Sequence, residues 1–237
     1  MIDIHSHILP DVDDGAFDMT ETLTMARIAA ADGVTHMVAT PHHIHFTPLH
    51  RQEVIERVKQ VQTQIDAAHI PLTILPGHEV RLYAGTLHDW GNQMAGPLGY
   101  SRYVLTEPSF YHFDRFTNAI LFEFFNQGYI PVLAHPERII PIQQKLSLIE
   151  PILARGALVQ ITANSLTSRP TYAARIAAEE MLRRGMVHII ASDAHNTSYR
   201  SPGLSIACDR AARIVGKRQA RAMVTTTPQA ILNDELV

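Results

Sequence analysis

The sequence is poor in cysteine and in net charge, and both deficits exclude classes of protein. Its 237 residues contain one cysteine, Cys208, which cannot form an internal disulfide or, by itself, a thiolate metal site. The formal net charge is -3 and the sequence pI is about 6.5, so there is no basic field for a nucleic acid backbone. We therefore expect metal ligands, if any, to be nitrogen and oxygen atoms, and we expect no nucleic acid partner.

Long apolar runs are also missing. No segment approaches about 18 uninterrupted apolar residues, the length that a transmembrane helix needs. The first residues lack the basic and apolar regions of a secretory signal. No Pro-rich or Gly-rich linker divides the chain, and its composition does not shift along its length. These deficits predict a cytoplasmic protein without membrane insertion, built as a single domain over residues 1–237.

Short apolar runs alternate with amphipathic stretches of helical length, which is the pattern of repeated βα units. The predicted strands are residues 2–5, 35–40, 72–76, 102–106, 130–134, 157–162 and 187–192. Helices are predicted between them, including residues 51–68, 116–127 and 143–155, while residues 82–99 are predicted to form a short helix and a loop. Seven strands of this kind favour an α/β barrel related to the (β/α)8 type, with a doubly wound open sheet as the alternative.

Histidine is abundant, with 14 residues, and its position in the sequence matters more than its number. Nearly every predicted strand ends in a histidine or a carboxylate, and the carboxyl ends of barrel strands converge on one site. Strand alternation also places the two imidazoles of the first strand on one face. The candidate metal ligands are His5, His7, His42, Glu79, Glu107, His135, Asp193 and His195.

Five imidazoles and three carboxylates exceed the needs of one ion, because a catalytic zinc takes about three protein ligands. Two or three divalent ions are therefore predicted. Nitrogen and oxygen ligands without sulfur suit Mn²⁺, Fe²⁺ or Zn²⁺, and the ligand type alone does not choose among them. Carboxylates such as Glu79 and Glu107 can bridge two ions, a spacing that suits a phosphoryl group held between metals.

Charged residues beside the candidate ligands extend the hypothesis. Arg138 follows His135 by three residues and Arg200 follows His195 by five, so both could direct a guanidinium at phosphate oxygens. Asp13 and Asp14 follow the first strand closely enough for one of them to reach a third ion, although they could equally be turn residues.

Each of these motifs has a simpler structural explanation when taken alone, because His-x-His, His-Pro and Asp-x-His also occur in ordinary loops. The repetition of the same residue types at six strand ends favours a metal cluster. By contrast, His36 and His188 lie at predicted strand starts and we interpret them as structural, and we interpret His78 as a non-ligand although it stands beside a ligand candidate. A cysteine-based phosphatase is excluded because the residue six positions after Cys208 is Ile214 and not arginine.

The ordered motifs resemble those of the polymerase and histidinol phosphatase (PHP) superfamily. They are His5-x-His7, His42, Glu79, Glu107, His135 in Ala-His-Pro-Glu-Arg, and Asp193-Ala-His195. The opening Met-Ile-Asp-Ile-His-Ser-His-Ile, the Asp-Asp-Gly that follows it and the later Ala-Ser-Asp-Ala-His-Asn further resemble bacterial manganese-dependent tyrosine-protein phosphatases of the CpsB, CapC and YwqE type. The similarity runs from Met1 to beyond Arg200.

This resemblance implies a distorted (β/α)7 barrel of the PHP fold that binds three metal ions, and it favours Mn²⁺ as the metal. It implies that the eight candidates are metal ligands, that an acidic residue of the Asp13-Asp14 pair, for which we choose Asp14, helps to bind the third ion, and that Arg138 and Arg200 lie near the phosphate. The implied substrate is phosphotyrosine on a bacterial tyrosine autokinase that controls capsule or exopolysaccharide synthesis. The alternatives are a small-molecule phosphatase such as histidinol phosphatase and a non-catalytic metal-binding module.

Overall fold

Parallel strands form the framework of the protein in a computed structural model that describes residues 1–44, 46, 48–167 and 172–237. The described residues form eight strands: Ile2–Ser6 (β1), His36–Ala39 (β2), Thr73–Pro76 (β3), Val80–Arg81 (β4), Tyr103–Glu107 (β5), Ile130–Ala134 (β6), Leu158–Thr162 (β7) and Ile189–Ala191 (β8). They make a three-stranded sheet in the order β1-β2-β3 and a five-stranded sheet in the order β4-β5-β6-β7-β8. Neighbouring strands pair in parallel throughout both sheets.

The two sheets meet at two seams, each made by an isolated parallel bridge just beyond the strand ends. At the first seam Ser6 pairs with Ala194, and at the second His42 pairs with Glu79. Backbone hydrogen bonds support both seams, from His7 N to Ala194 O at 2.8 Å and from Glu79 N to Pro41 O at 3.1 Å. Single bridges thus link the two sheets at both edges, which agrees with the predicted distorted (β/α)7 barrel, although the strands do not form one continuous closed sheet.

The third strand is split, which explains why eight strands stand where seven were predicted. Residues 73–76 pair with β2, whereas Val80 and Arg81 pair with β5. Between them the chain passes from one neighbour to the other, and Glu79 lies at this crossing. Residues 82–99 were predicted to form a short helix and a loop, and the structure has a short helix at Thr86–Gly91 in this segment. β4, which precedes it, was not predicted.

Helices connect the strands. Within the described ranges they are Met19–Ala31 (α1), Arg51–Ala67 (α2), Thr86–Gly91 (α3), Arg115–Asn126 (α4), Ile140–Gln144 (α5), Glu150–Leu153 (α6), Ala163–Thr167 (α7), Tyr172–Arg183 (α8), Ser205–Val215 (α9), Lys217–Ala222 (α10) and Thr226–Leu232 (α11). Short 3₁₀ helices occupy Pro136–Arg138 and Leu146–Ile149. Across the part of the chain that the structure describes, no helix is both long enough and apolar enough to cross a membrane.

Residues 143–155 do not form the single helix that their periodicity predicts. The chain instead makes α5, a 3₁₀ turn and α6 in succession. Pro141 and Pro151 stand in the first turns of α5 and α6, where the missing N–H costs nothing, but the residue before each proline is disfavoured in a continuing helix. Proline therefore breaks this segment into short turns.

Side-chain carboxylates begin two of the helices. Asp18 accepts from the backbone N–H of Glu21 at the start of α1, and Asp114 accepts from Phe116 N and Thr117 N at the start of α4. Such caps satisfy donors that have no partner within the helix. They fix where the helices begin after the loops at the carboxyl ends of β1 and β5.

Alternate strand residues divide between two clusters of buried apolar side chains. Val104, Leu133, Val159 and Ile190 belong to the cluster that includes the helices, whereas Leu105 and the residues on its side of the strands form a second cluster. The second cluster includes Tyr103, Leu105, Val132, Ala134, Leu158, Ile189 and Ala191. Because residues i and i+2 share a face, this side of the strands continues from Leu105 to Glu107 and from Ala191 to Asp193. The apolar layer thus passes directly into polar residues at the carboxyl ends.

Candidate metal centre

The two histidines at the end of β1 lie side by side at the bottom of the candidate site. His5 and His7 are fully buried, and their Nε2 atoms are 3.4 Å apart. His5 Nε2 lies 3.4 Å from Glu79 Oε1 and 3.4 Å from Asp193 Oδ1. The prediction that both imidazoles of His-x-His reach one site is therefore consistent with their positions.

Asp13 and Asp14 have different positions, although the sequence left their roles unresolved. Asp13 Oδ2 lies 2.7 Å from His7 Nδ1 and also accepts from the backbone N–H of His42 at 3.1 Å. Asp14 instead places Oδ1 3.2 Å from His195 Nε2 and 3.4 Å from His42 Nε2, and its side chain is 44% exposed. Asp13 is thus placed to orient His7, and Asp14 is the member of the pair that reaches the candidate ligand atoms.

Gly15 allows the loop that carries these aspartates to fold back onto β1. A Cβ atom at this position would lie 2.1 Å from the carbonyl oxygen of His7, a distance that no side chain can occupy. Ala16 N then donates to the same carbonyl, and Gly15 N donates to Asp13 Oδ1. The glycine of the Asp-Asp-Gly motif therefore brings both carboxylates close to the histidines.

Glu79, at the second seam, is the most connected carboxylate of the cluster. One oxygen, Oε1, lies 2.8 Å from His135 Nε2, and the other, Oε2, lies 3.0 Å from His42 Nδ1. His5 and His7 each approach it to 3.4 Å. A carboxylate between four imidazoles has the position expected of a group that bridges two cations.

Glu107, at the end of β5, lies on the side of the cluster next to Arg81. Its Oε2 atom is 3.0 Å from Arg81 Nη1, and its Oε1 atom is 3.9 Å from His135 Nε2. The guanidinium of Arg81 also lies 5.9 Å from the centre of the Phe110 ring. Arg81 was not predicted as a site residue, because it follows Glu79 inside a segment whose strand was not predicted.

His135 and Asp193 both adopt left-handed backbone conformations, with φ values of 33° and 52°. This region costs a residue other than glycine about 1–3 kcal/mol and persists only where the surroundings enforce it. Next to His135, the buried carboxylate of Glu137 accepts from Thr162 N at 2.9 Å and from Ser165 Oγ at 2.7 Å, which anchors the turn. The strain lies at two candidate ligands, a location typical of functional sites.

Two arginines, Arg138 and Arg200, point at a candidate ligand, Asp193. Arg138 Nη1 donates to Asp193 Oδ2 at 2.9 Å, and Arg200 Nη2 lies 2.9 Å from both oxygens of the same carboxylate. Both side chains are partly exposed, at 36% and 26%. The ring of Phe110 lies 5.2 Å from the guanidinium of Arg138 and supports it by a cation–π contact. Both guanidinium groups thus stand between the buried cluster and solvent.

Neighbouring positive charges keep the buried carboxylates of the site ionised. Burial opposes ionisation of Glu79 and Asp193, yet the charges of His5 and the hydrogen bonds from the other histidines hold the pKa of both well below the usual range. Burial also opposes the charge of His42, but hydrogen bonds with Asp14 and Glu79 raise its pKa to about 10. Burial and the neighbouring charge of His7 lower the pKa of His195 to about 4. Cations bound by the cluster would supply the charge that protonated imidazoles supply here.

All nine predicted metal-binding residues enter groups whose ligand atoms lie within 4.8 Å of one another. The groups found among the described residues are His7 with Asp14, His42 and His195; His5 with His7 and Asp193; His5 with Glu79 and His135; and His42 with Glu79 and Glu107. Two buried atoms in these groups face other candidate ligands: Glu79 Oε2 lies 3.0 Å from His42 Nδ1, and His195 Nε2 lies 3.2 Å from Asp14 Oδ1. Nitrogen and oxygen donors with free lone pairs in overlapping groups fit two or three divalent ions.

Other histidines serve local structure. His78 is buried between a donor and an acceptor, since Nε2 donates to Leu49 O and Nδ1 accepts from Gly96 N, and burial lowers its pKa to about 4. His188, at the start of β8, accepts from Val159 N at 3.1 Å. The interpretation of His78 as a non-ligand and of His188 as structural is consistent with both positions.

Comparisons with known proteins agree with this geometry. Residues 1–233 match the family described as Capsular polysaccharide synthesis, CpsB/CapC. The tyrosine-protein phosphatase YwqE of Bacillus subtilis (strain 168) is 35% identical over 202 residues, 85% of this chain and 80% of YwqE. The tyrosine-protein phosphatase CpsB of Streptococcus pneumoniae is 28% identical over an alignment of 245 positions that covers 100% of both chains.

A solved structure extends the similarity to three dimensions. It comes from crystal structures of YwqE from Bacillus subtilis and CpsB from Streptococcus pneumoniae, which are described as unique metal-dependent tyrosine phosphatases. It superposes with a TM-score of 0.92 at 32% sequence identity and covers 100% of this chain and 96% of that chain.

Proposed function

The chain belongs to the CpsB/CapC capsular polysaccharide synthesis family, and from this membership we propose that it is a metal-dependent tyrosine phosphatase. Its substrate is phosphotyrosine on a bacterial tyrosine autokinase that controls capsule or exopolysaccharide synthesis. It works in the cytoplasm, and residues 1–237 act as one domain. The resident cation is Mn²⁺, in two to three sites, with Fe²⁺ or Zn²⁺ as substitutes.

The observation that carries this proposal is the convergence of nine candidate ligands with two arginines at one end of the barrel. In the proposed site His5, His7, His42, Glu79, Glu107, His135, Asp193 and His195 hold the cations, and Asp14 shares in the third. Divalent ions bound there would supply positive charge for the phosphoryl oxygens and would help to activate the attacking water.

Arg138 and Arg200 bind the phosphate. Both donate to Asp193, so each guanidinium is already held at the edge of the cluster, where N–H groups remain for oxygens of a substrate. A planar guanidinium can make two parallel hydrogen bonds to a phosphate, which fixes its orientation as well as its charge. The arginines thus orient the phosphoryl group for attack by water.

Two aromatic rings flank the entrance and suit the phenyl ring of phosphotyrosine. Phe46 stacks on His42 with ring centres 5.6 Å apart, and Phe110 stacks on His135 at 5.5 Å. The phenol that leaves has a pKa of about 10, so its departure needs less protonation than that of an alkoxide. Phe113, which lies in the same loop as Phe110 after β5, is instead buried in the apolar core.

The test compares turnover of a phosphotyrosine peptide and of histidinol phosphate by the purified chain, with Mn²⁺ added and with a chelator. We expect the peptide to be preferred, the chelator to abolish turnover and Mn²⁺ to restore it. Preference for histidinol phosphate would favour a small-molecule phosphatase, and no turnover of either would favour a non-catalytic metal-binding module.

Cys208→Ser is the matched control for the nucleophile. Cys208 lies in α9, and burial raises the pKa of its thiol, so it is not poised as a thiolate. We expect the serine variant to keep its activity. A folded but inactive variant would contradict attack by water.

A further inference from the structure

β7 differs from its neighbours because, in the described chain, no candidate ligand lies in it or just beyond its end, whereas His135 follows β6 and Asp193 follows β8. Its central residue, Gln160, is nevertheless polar and fully buried. The strand pairs with β6 at Ala134 and with β8 at Ile189, so this side chain stands between two strands whose ends carry candidate ligands. A buried amide in such a position requires an explanation beyond packing, since an apolar residue would fill the same space without loss of hydration.

The amide of Gln160 contacts His5 from the side opposite the cluster. Its Oε1 atom lies 2.9 Å from His5 Nδ1, and both residues are fully buried. The other ring nitrogen of His5, Nε2, lies 3.4 Å from Glu79 and 3.4 Å from Asp193. Gln160 and the candidate ligands thus occupy the two opposite edges of one imidazole ring.

This geometry determines which nitrogen of His5 carries the proton. A carbonyl oxygen can only accept, so Nδ1 donates its N–H to Gln160, and the neutral ring then has its lone pair on Nε2, toward the cluster. An apolar residue at position 160 would leave the proton free to move to Nε2, where it would block binding of a cation. The amide also holds the ring plane, because a single bond at 2.9 Å fixes the direction of Nδ1.

The neighbouring histidines have equivalent partners of different chemistry. His7 Nδ1 faces the carboxylate of Asp13 at 2.7 Å, and His195 Nδ1 faces the backbone carbonyl of Asp193 at 2.9 Å. Three imidazoles therefore offer Nε2 to the cluster while an oxygen acceptor holds Nδ1. At His5 this acceptor is a neutral side chain, which keeps the ring in place without adding a further negative charge to a centre already rich in carboxylates.

We propose that Gln160 is a positioning residue, which fixes the tautomer and orientation of His5 for cation binding by accepting its Nδ1 proton. This inference rests on the proposed metal-dependent function of the cluster. Outer partners of this kind contribute about 10–100-fold to metal affinity.

The experiment compares Mn²⁺ affinity in the parent chain and in Gln160→Met, which has similar size but no acceptor. We expect Mn²⁺ to bind about 10–100-fold more weakly, as measured by calorimetric titration of the metal-free protein. We also expect the visible absorption bands of bound Co²⁺ to shift, because one imidazole is misaligned. Gln160→Glu, which retains an oxygen at the same reach, should bind Mn²⁺ more tightly than the methionine variant.

Gln62→Met is the matched control. Gln62, in α2, is also a bridging amide, since it accepts from Ile74 N at 2.7 Å and donates to Leu72 O at 3.1 Å, but it has no contact with the cluster. The Gln62→Met substitution should lower the melting temperature of the metal-free protein and leave its Mn²⁺ affinity unchanged. If Gln160→Met does not fold, Gln160→Asn, which withdraws the acceptor by one methylene, takes its place with the same expectations.

Parent-like Mn²⁺ affinity and an unchanged Co²⁺ spectrum in the folded methionine or asparagine variant would overturn the inference. So would a glutamate variant that binds no better than the methionine variant. Failure of the parent chain itself to bind Mn²⁺ or Co²⁺ would instead contradict the proposed function, and the inference would fail with it.

Discussion

The two ends of the parallel strands contain the same residue type in different surroundings. At the carboxyl ends, imidazoles such as His5 and His42 lie within about 3.5 Å of buried carboxylates. At the amino ends, His36 contacts the hydroxyl of Thr35, and His188 accepts from the backbone N–H of Val159. Among these described residues, histidine thus becomes a candidate metal ligand where several strands bring carboxylates to it. The predictions below test this difference between the ends.

The largest effect is expected from Glu79→Gln, which removes the charge that four imidazoles share. The amide has one acceptor oxygen and cannot bridge two cations, so the variant should lose bound metal. Loss of the metal removes several kcal/mol of electrostatic stabilisation of the transition state, which corresponds to a loss of about 10³-fold or more in turnover. Elemental analysis and kinetics with a phosphotyrosine peptide measure both quantities. Parent metal content would show that Glu79 is not a ligand.

A smaller loss is expected from Arg138→Ala, because a guanidinium has no lone pair for a metal. The variant should keep its metal, while kcat falls by about 10²–10³-fold, as on removal of one donor to developing negative charge. Arg138→Lys should recover only part of this, since it restores charge but not the planar fork.

Arg102→Ala is the control for this substitution. Arg102 pairs with Asp234 at 2.9 Å on the surface, and its loss should not change kcat. Parent kcat and KM in Arg138→Ala, with metal content verified, would contradict a role in phosphate binding.

Asp13→Asn should weaken metal binding to an intermediate degree and should lower turnover modestly. The substitution preserves shape but removes the charge that faces His7 Nδ1, so Mn²⁺ should bind about 10–100-fold more weakly. Asp114→Asn, at the start of α4, is the matched control, because asparagine caps a helix nearly as well as aspartate. Equal Mn²⁺ affinity in the two variants would exclude Asp13 from the support of His7.

The smallest effect is expected at the amino end, from His188→Gln. Burial lowers the pKa of His188 below its ordinary value of about 6.5, so the native state binds a proton less tightly than the unfolded chain. The contribution of the neutral ring to stability is therefore complete above pH 6.5 and is lost as the pH falls through the folded pKa.

Glutamine can still accept from Val159 N but does not titrate. The free energy of unfolding should change by less than about 1.5 kcal/mol at pH 7.5, the contribution of one hydrogen bond, and should fall less steeply than in the parent below pH 6.5. Denaturant titrations at pH 7.5 and 5.0 measure this difference, and phosphatase activity should be unchanged. An identical pH dependence in parent and variant would show that His188 is not held neutral.

Much of the barrel and the candidate ligands could be predicted, because both depend on local patterns. Strand alternation and strand ends are visible in the sequence, and seven predicted strands correspond to strands of the structure, although the third is split in two. The split could not be foreseen, since the passage of residues 77–79 from β2 to β5 depends on the neighbours of the strand. The broken helix at residues 140–153 was missed despite two visible prolines, because its apolar period was given more weight.

The support of the site was less predictable. Gln160 is 155 positions from His5 in the sequence, and an isolated glutamine in an apolar strand carries no motif. Arg81 and Glu137 were likewise not assigned, because their partners are brought to them by the closure of the barrel. The candidate ligands repeat a chemical type at corresponding strand ends, whereas the residues that support them vary in type and position, so only the candidate ligands produce a pattern in the sequence.

The two seams of the barrel have a mechanical consequence. Each is held by a single bridge, and the candidate metal groups span both of them, since His5 and His7 face Asp193 across the first and His42 faces Glu79 across the second. Cations at these groups would connect the two sheets at the seams, where the least backbone pairing joins neighbouring strands. A cation that binds only the closed ring stabilises it by RT ln(1 + [L]/Kd), about 2.7 kcal/mol at a hundredfold excess over Kd. The same ions that are proposed to act on phosphate would then also hold the two sheets of the barrel together.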